Sequence, residues 1–135
     1  MSTISLQLVS PDKEHFIGQV EMVVLPGEEG DFSVLPEHAP IITYLRPGKI
    51  SIIEDEGNKQ SYFVASGFVK VDNNNCMVLV DYIKNKEDLN VEDSKKELST
   101  ILSKIENEKD QDVVGRLRER LFILEEEVNF IERVS

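Results

Sequence analysis

Residues 24–50 of the chain read VLPGEEGDFSVLPEHAPIITYLRPGKI, and this stretch decides the fold. Short apolar runs alternate in it with an acidic turn at 27–30, a proline corner at 36–40 and a Pro-Gly pair at 47–48. Glycine and proline at such positions favour tight turns, so the stretch predicts a series of short β-strands. A corner stiffened by two prolines suits a binding surface, and it equally suits a structural loop without function.

The same organisation extends over the first 84 residues. Turn residues recur about every ten positions between apolar segments of strand length, as in an antiparallel sandwich or barrel. Ile4, Leu6 and Leu8 occupy every second position, as in a strand with one buried side. The apolar segments 62–65 and 68–71 flank the pair Ser66-Gly67. No segment in this half has helical length, so residues 1–84 predict an all-β domain.

Beyond residue 84 the apolar spacing changes to three and four, which indicates helices. Asn90 is a good N-cap for a first helix that ends at the polar break 106–110. The stripe of this helix consists of Val91, Ser94, Leu98, Ile101 and Ile105. A second helix is predicted from about residue 112 to residue 134. Its stripe consists of Val114, Leu117, Leu121, Leu124, Val128 and Ile131, with Ile123, Phe130 and Val134 as a second apolar flank.

The short connection between these helices predicts an antiparallel α-helical hairpin over residues 85–135. A hairpin this small has marginal stability in isolation, so it is suited to detach or extend. A hairpin that stays permanently packed is equally compatible with the pattern.

Composition excludes several classes of function. The chain has 135 residues and a net charge of −11, which argues against nucleic acid and anionic lipid as partners. No stretch is apolar for long enough to span or insert into a membrane, and the N-terminus lacks a signal or transit pattern. We therefore expect a soluble protein that works where it is made.

Few residues are available for chemistry. His15, His38 and the single Cys76 do not form a recognisable catalytic or metal-binding pattern, and no glycine-rich phosphate loop is present. We expect no enzyme activity, no cofactor and no metal, and we expect Cys76 to be a small buried residue at the start of a strand.

The pattern P-G-x-E-G-x-F-x-V-L-P-x-H-A-P-x-x-T-x-L-R-P-G in residues 26–48 resembles the hallmark of ATP synthase epsilon subunits. The opening ISLQLVSP, the central FVASGFVKV and the C-terminal hairpin also lie where that family has them, so the resemblance covers essentially the whole chain. Glu37 is a departure, because the family has glycine there and glycine tolerates a positive φ.

The resemblance implies an N-terminal β-sandwich of about ten strands (1–84) followed by the helical hairpin (85–135). It implies a non-catalytic rotor subunit of the central stalk, which couples proton translocation to ATP synthesis. The implied partners are the gamma subunit, the c-ring loops and, when the helices extend, the alpha/beta catalytic head. The implied location is peripheral, on the cytoplasmic face of the bacterial inner membrane.

The resemblance also suggests contact residues. Glu29, Asp31, Phe32 and His38 are the candidates for contact with the c-ring or gamma. Arg116, Arg118 and Arg120 are the candidate cations of a switch helix that would oppose ATP hydrolysis. The alternative for these arginines is pairing with nearby acids, such as residues 125–127, on a solvated face.

Some members of the family bind ATP through an I/L-D-x-x-R-A motif at the first helix. Here the matching residues are Leu89-Asn90-Val91-Glu92-Asp93-Ser94, in which an aspartate replaces the arginine. The loss of the cation and the added acids predict no useful ATP binding.

A different reading stays open on composition and periodicity alone. An unrelated interaction module, with a β-sandwich and a coiled-coil tail, would show the same two halves. Only the pattern in residues 26–48 argues against it, and stable binding to a gamma subunit would discriminate between the two.

Overall fold

The structure is a computed structural model that describes residues 2–133, apart from the side chain of Glu56. The chain divides into two compact units, with the division between Asn85 and Lys86. The first unit contains eight strands: β1 (Ile4–Ser10), β2 (Lys13–Val20), β3 (Met22–Gly27), β4 (Gly30–Val34), β5 (Ile41–Leu45), β6 (Gly48–Ile53), β7 (Lys59–Asp72) and β8 (Asn75–Asn85). The second contains α1 (Val91–Asn107) and α2 (Gln111–Arg133). Single 3-10 turns lie at Asp55–Gly57 and Lys86–Asp88.

The strands form a β-sandwich, which confirms the predicted fold class. Their order is β2-β1-β8-β7-β5-β3-β4, and β6 pairs with both β3 and β7. The β1–β8 pair is parallel, whereas the other pairs are antiparallel. Inward-facing residues of alternating positions, such as Ile4, Leu6 and Leu8 of β1, build the core.

The first unit has eight strands rather than about ten, and one strand of the difference arises because β7 is continuous. Sequence patterning divides this segment at Ser66-Gly67, but the strand continues through it with Ser66 at φ 58°. Before this point β7 pairs with β6, up to Val64, and after it β7 pairs with β5, from Gly67 onward. Ser66-Gly67 is therefore not a turn but the point at which β7 changes its pairing partner from β6 to β5.

The helical unit forms the predicted hairpin. The Asn90 side chain accepts hydrogen bonds from the backbone N–H groups of Glu92 and Asp93, so the predicted N-cap is present. Ile101, Val114 and Leu124 are buried, as their places in the stripes predict. The remaining large stripe residues are half-buried: Leu98, Ile105, Leu117, Leu121, Val128 and Ile131. Val134, which the pattern places in the second flank, lies outside the described residues.

Glu127 is a difference from the sequence pattern. Sequence analysis places it with acids on a solvated face, yet only 2% of its surface is exposed. The Ser94 hydroxyl, on the facing helix, donates a hydrogen bond to its carboxylate at 3.3 Å. In residues 2–133 no helix is both long and apolar enough to cross a membrane.

Candidate docking surface

The acidic turn between β3 and β4 is held by Arg46. The guanidinium of Arg46 donates to the Gly27 carbonyl at 2.8 Å and to the Asp31 carboxylate at 2.6 Å. Gly30 closes the hairpin with φ 137°, a conformation that favours glycine. Asp31 is therefore already paired within the chain, whereas Glu29 is exposed at the tip of the turn.

Phe32 supports this turn from the inside. Its half-buried ring packs against the sandwich core, and a Cβ on Gly27 would lie 2.8 Å from the ring. The structure thus places Phe32 beneath the acidic turn rather than on its outer surface.

The proline corner lies between β4 and β5. The His38 backbone N–H donates to the Leu35 carbonyl at 3.1 Å, and the His38 ring Nδ1 donates to the Ala39 carbonyl at 2.6 Å. Glu37 has φ 67°, and its backbone N–H donates to the side-chain oxygen of Asn74 at 2.5 Å. The half-buried His38 ring is thus held within the corner.

The predicted contact residues do not form one cluster. Asp31 lies near the first end of β4, and His38 follows the other end, beyond Val34. Five residues of strand at about 3.3 Å per residue separate the two ends by roughly 15 Å. The acidic turn and the proline corner are therefore two separate parts of the surface.

A third part of the surface is an apolar sheet face, which sequence analysis missed. Its most exposed side chains are Ile42 and Tyr44 of β5, which expose 71% and 68% of their surface. The register places Tyr44 beside Phe68 of β7 and Phe68 beside Leu79 of β8. We call the outward-facing residues Ile42, Tyr44, Phe68, Met77 and Leu79 the apolar face.

Two shallow depressions lie on this apolar face. One, of about 360 Å³, is lined by Glu28, Ile42, Thr43, Tyr44 and Phe68. The other, of about 330 Å³, is lined by Val9, Ser10, Pro11, Gly67, Phe68, Leu79, Val80 and Asp81. Phe68 belongs to both, so the two depressions are neighbours. Lys70 of β7, which pairs with Ile42 on one side and with Met77 on the other, also lies on this face. A cluster of exposed apolar side chains of this kind is a candidate interaction site.

A sequence signal for the apolar face exists in β5. A strand with one solvated side alternates apolar and polar residues, but four of the five residues Ile41–Leu45 are apolar or aromatic. Both sides of β5 are therefore suited to contact apolar groups, even though only one side meets the core.

The β1–β2 turn at the edge of the second depression contains a polar network. The Ser10 hydroxyl donates to the Asp12 carboxylate at 2.6 Å, and His15 Nε2 lies 2.8 Å from the same hydroxyl. The Ser10 hydrogen bond lowers the pKa of Asp12. Partial burial, followed by the charge of Lys13, lowers the pKa of His15. The network closes the turn, and the charge of Asp12 within it raises the pKa of His15 by less than burial and Lys13 lower it.

The candidate switch arginines differ in their surroundings. Arg120 makes a two-pronged contact with Glu97 of α1, with both N–O distances at 3.1 Å. Arg116 and Arg118 are exposed and form no ion pair within residues 2–133. Of the three candidate arginines, Arg120 is thus the one with an ion pair across the hairpin within residues 2–133, and the acid in that pair is Glu97 of α1.

Cys76 lies in the core, and desolvation raises the pKa of its thiol to about 12. Such a thiol is a poor nucleophile because its thiolate form is rare at neutral pH. Across residues 2–133 no three His, Cys, Asp or Glu side chains gather into a group that could hold a metal ion.

Sequence comparisons identify similar proteins. The family model described as ATP synthase, Delta/Epsilon chain, beta-sandwich domain, matches residues 3–86. The chain is 37% identical over 109 residues to the ATP synthase epsilon chain of Maricaulis maris, covering 81% of both chains. It is 36% identical over 121 residues to that of Bradyrhizobium sp., covering 90% of this chain and 88% of the relative.

Structural comparison agrees on the fold. A chain of the Euglena gracilis mitochondrial ATP synthase structure superposes with a TM-score of 0.85 and 23% identity, covering 93% of this chain and 79% of that one. At this identity the likeness shows the fold alone. That fold includes a sandwich and a hairpin over nearly the whole chain.

Proposed function

The chain belongs to the ATP synthase delta/epsilon chain family, and on that basis we propose that it is a non-catalytic rotor subunit of the central stalk. In this role it couples proton translocation to ATP synthesis by holding rotating parts together. It would sit peripherally on the cytoplasmic face of the bacterial inner membrane. The observation that carries the proposal is the family match over residues 3–86. The apolar face supports it, because a subunit of this kind needs a rigid docking area rather than a catalytic group.

The apolar face is the proposed contact for the gamma subunit. Ile42 and Tyr44 lie on a strand of the sandwich, so little ordering is needed before a partner covers them. Covering one such side chain contributes about 1.5–3 kcal/mol. A few side chains of this type therefore suffice for a stable complex, with Phe68 at the centre of the surface.

Binding to purified gamma subunit tests this assignment. Ile42→Ser and Tyr44→Ser should each raise the dissociation constant by about 10- to 100-fold. Leu102→Ser is the matched control, because Leu102 is apolar and exposed but lies on α1. Binding that is unaffected by both strand variants would contradict the assignment.

The acidic turn is the proposed contact for the c-ring loops. Arg46 pairs with Asp31 and fixes the turn, which leaves the exposed acids Glu28 and Glu29; Glu29, at the tip of the turn, is the one proposed to meet the ring. Glu29→Lys should lower proton-driven ATP synthesis in the assembled complex without weakening the isolated complex with gamma. Glu14→Lys, an equal charge change on exposed β2, is the control. Unchanged synthesis with Glu29→Lys, or an equal loss with Glu14→Lys, would refute this contact.

The helical hairpin is the proposed regulatory part. In an extended state α2 would reach the alpha/beta head, where the exposed Arg116 and Arg118 would meet acidic loops and oppose hydrolysis. Arg120 would first have to leave Glu97.

Deletion of residues 88–135 tests the regulatory role. The sandwich keeps its own core, because every residue of that core cluster lies between positions 4 and 83. ATP hydrolysis by the assembled complex should rise, while gamma binding stays intact. Unchanged hydrolysis would contradict the proposed inhibition by the hairpin and would leave the coupling role unaffected. The double variant Arg116→Ala/Arg118→Ala should reproduce part of the rise in hydrolysis if these two cations contribute to the inhibition.

A further inference from the structure

The proline corner is held from outside by a residue far away in the sequence. The Glu37 backbone N–H donates to the Asn74 side-chain oxygen at 2.5 Å, across 37 positions of chain. The sheet register explains the meeting, because Ile41 of β5 pairs with Val71 of β7 in antiparallel fashion. The residues before Ile41 and those after Val71 therefore lie at the same end of the sheet.

The residue that donates this hydrogen bond, Glu37, has an unfavourable backbone conformation. Glu37 has φ 67°, in the left-handed region where a Cβ clashes with its own backbone and which glycine adopts readily. A glutamate there persists only where the surroundings hold it. The hydrogen bond that its N–H donates to Asn74 ties its backbone to the turn between β7 and β8.

Asn74 is itself firmly placed. It lies with Asn73 in the turn between β7 and β8, and both residues have positive φ, at 62° and 48°. Its backbone carbonyl accepts a hydrogen bond from the Ser5 N–H of β1 at 2.9 Å. The side chain that holds Glu37 therefore extends from a turn that joins β7 to β8 and is hydrogen-bonded to β1.

We propose that Asn74 is a positioning residue of the docking surface: its side chain holds Glu37 in the left-handed conformation and so sets the proline corner 36–40 and the start of β5. This inference rests on the proposed function, since it assigns a role in gamma binding. His38 sits within the corner, and Ile42 follows two residues beyond it. Release of the corner would therefore loosen the contacts that gamma covers.

The test compares glycine substitutions at the two turn positions. Asn74→Gly removes the acceptor, and Asn73→Gly is the control, since glycine suits the positive φ at both positions. Asn74→Gly should weaken binding to purified gamma about fivefold, as expected for one lost hydrogen bond, and should speed hydrogen exchange of the Glu37 amide. Asn73→Gly should leave both measurements near wild type.

Glu37→Gly supplies the rescue. Because glycine adopts the left-handed conformation without help, Asn74→Gly should change gamma binding less than about twofold in a Glu37→Gly background. A purely structural role of Asn74 would give the same loss in both backgrounds.

Three results would overturn the inference: full gamma binding by Asn74→Gly, equal weakening by Asn73→Gly, or no rescue by Glu37→Gly. If the wild-type chain does not bind gamma, the proposed function fails and the docking role of Asn74 fails with it. The exchange rate of the Glu37 amide still decides, in that case, whether Asn74 holds the corner.

Discussion

Replacement of Gly67 by alanine should destabilise the sandwich more than its chemical size suggests. A Cβ at this position would lie 2.3 Å from the Leu79 carbonyl oxygen and 2.9 Å from a methyl of Val80. The obstructing atom is backbone of the paired strand β8, which cannot rotate away as a side chain would. Gly67 is also the residue at which β7 begins to pair with β5, so a shift of β8 disturbs both neighbours.

The expected magnitude follows from this contact. Ordinary carbon–oxygen approaches in sheets are about 3.3 Å, so the strands must separate by roughly 1 Å. Overpacking of this kind costs about 1–3 kcal/mol, and a backbone clash belongs at the upper end. Gly67 does not have a positive φ, so alanine also lowers the unfolded-state entropy, which offsets about 0.4–1 kcal/mol. We expect a net loss of about 2 kcal/mol, or a fall in Tm of about 8–16 °C.

Urea unfolding monitored by tyrosine fluorescence measures this loss selectively. The chain has no tryptophan, and its three tyrosines (Tyr44, Tyr62 and Tyr82) all lie in the sandwich. Gly115→Ala is the matched control, because Gly115 lies in α2 with no atom within 4 Å of its added Cβ. This control should raise the stability of the helical unit by about 0.5–1 kcal/mol, read by circular dichroism at 222 nm. The reasoning is refuted if Gly67→Ala unfolds within 0.5 kcal/mol of wild type.

Three further changes have equally definite outcomes. Ser94→Ala should cost the helical unit about 1 kcal/mol, because the buried Glu127 loses a hydrogen bond, whereas Ser103→Ala at an exposed position of α1 should leave helix unfolding unchanged. Asn90→Ala should remove the N-cap of α1 and lower helix stability by about 1 kcal/mol, and unchanged ellipticity on heating would contradict this. The pKa of His15 is depressed below the ordinary histidine value of 6.5, so the stability that the neutral imidazole contributes is full above pH 6.5 and is lost as the pH falls below it; an NMR titration midpoint at or above 6.5 would show the opposite.

Local features of both units follow from the sequence. The period-two segments predicted the sandwich, and the change to spacings of three and four predicted α1 and α2, because these periods reflect which side chains share one face. The N-cap Asn90 was predictable for the same reason, since a cap bonds to residues two and three positions away. The strand count differs by one at Ser66-Gly67, which has turn composition, yet sheet pairing on both sides keeps β7 continuous.

The candidate surface was only partly predictable. The acidic turn and the proline corner were found because turn residues have a local signature, but the roles of individual side chains within them were not. Phe32 lies beneath the turn and Asp31 pairs with Arg46, because the packing of the β3–β4 hairpin on the core selects their partners. The apolar face was missed because exposure depends on whether another layer covers that side of β5.

The sequence by itself thus determined the two-unit architecture, the acidic turn and the proline corner, the N-cap of α1, and the family to which the chain is similar. Only the tertiary structure decided the contacts that bridge distant segments: Arg46–Asp31 across 15 positions, Ser94–Glu127 across 33 and Glu37–Asn74 across 37. The physical reason is that short-range spacing sets the face on which a residue lies, whereas strand register and helix pairing decide what that face meets.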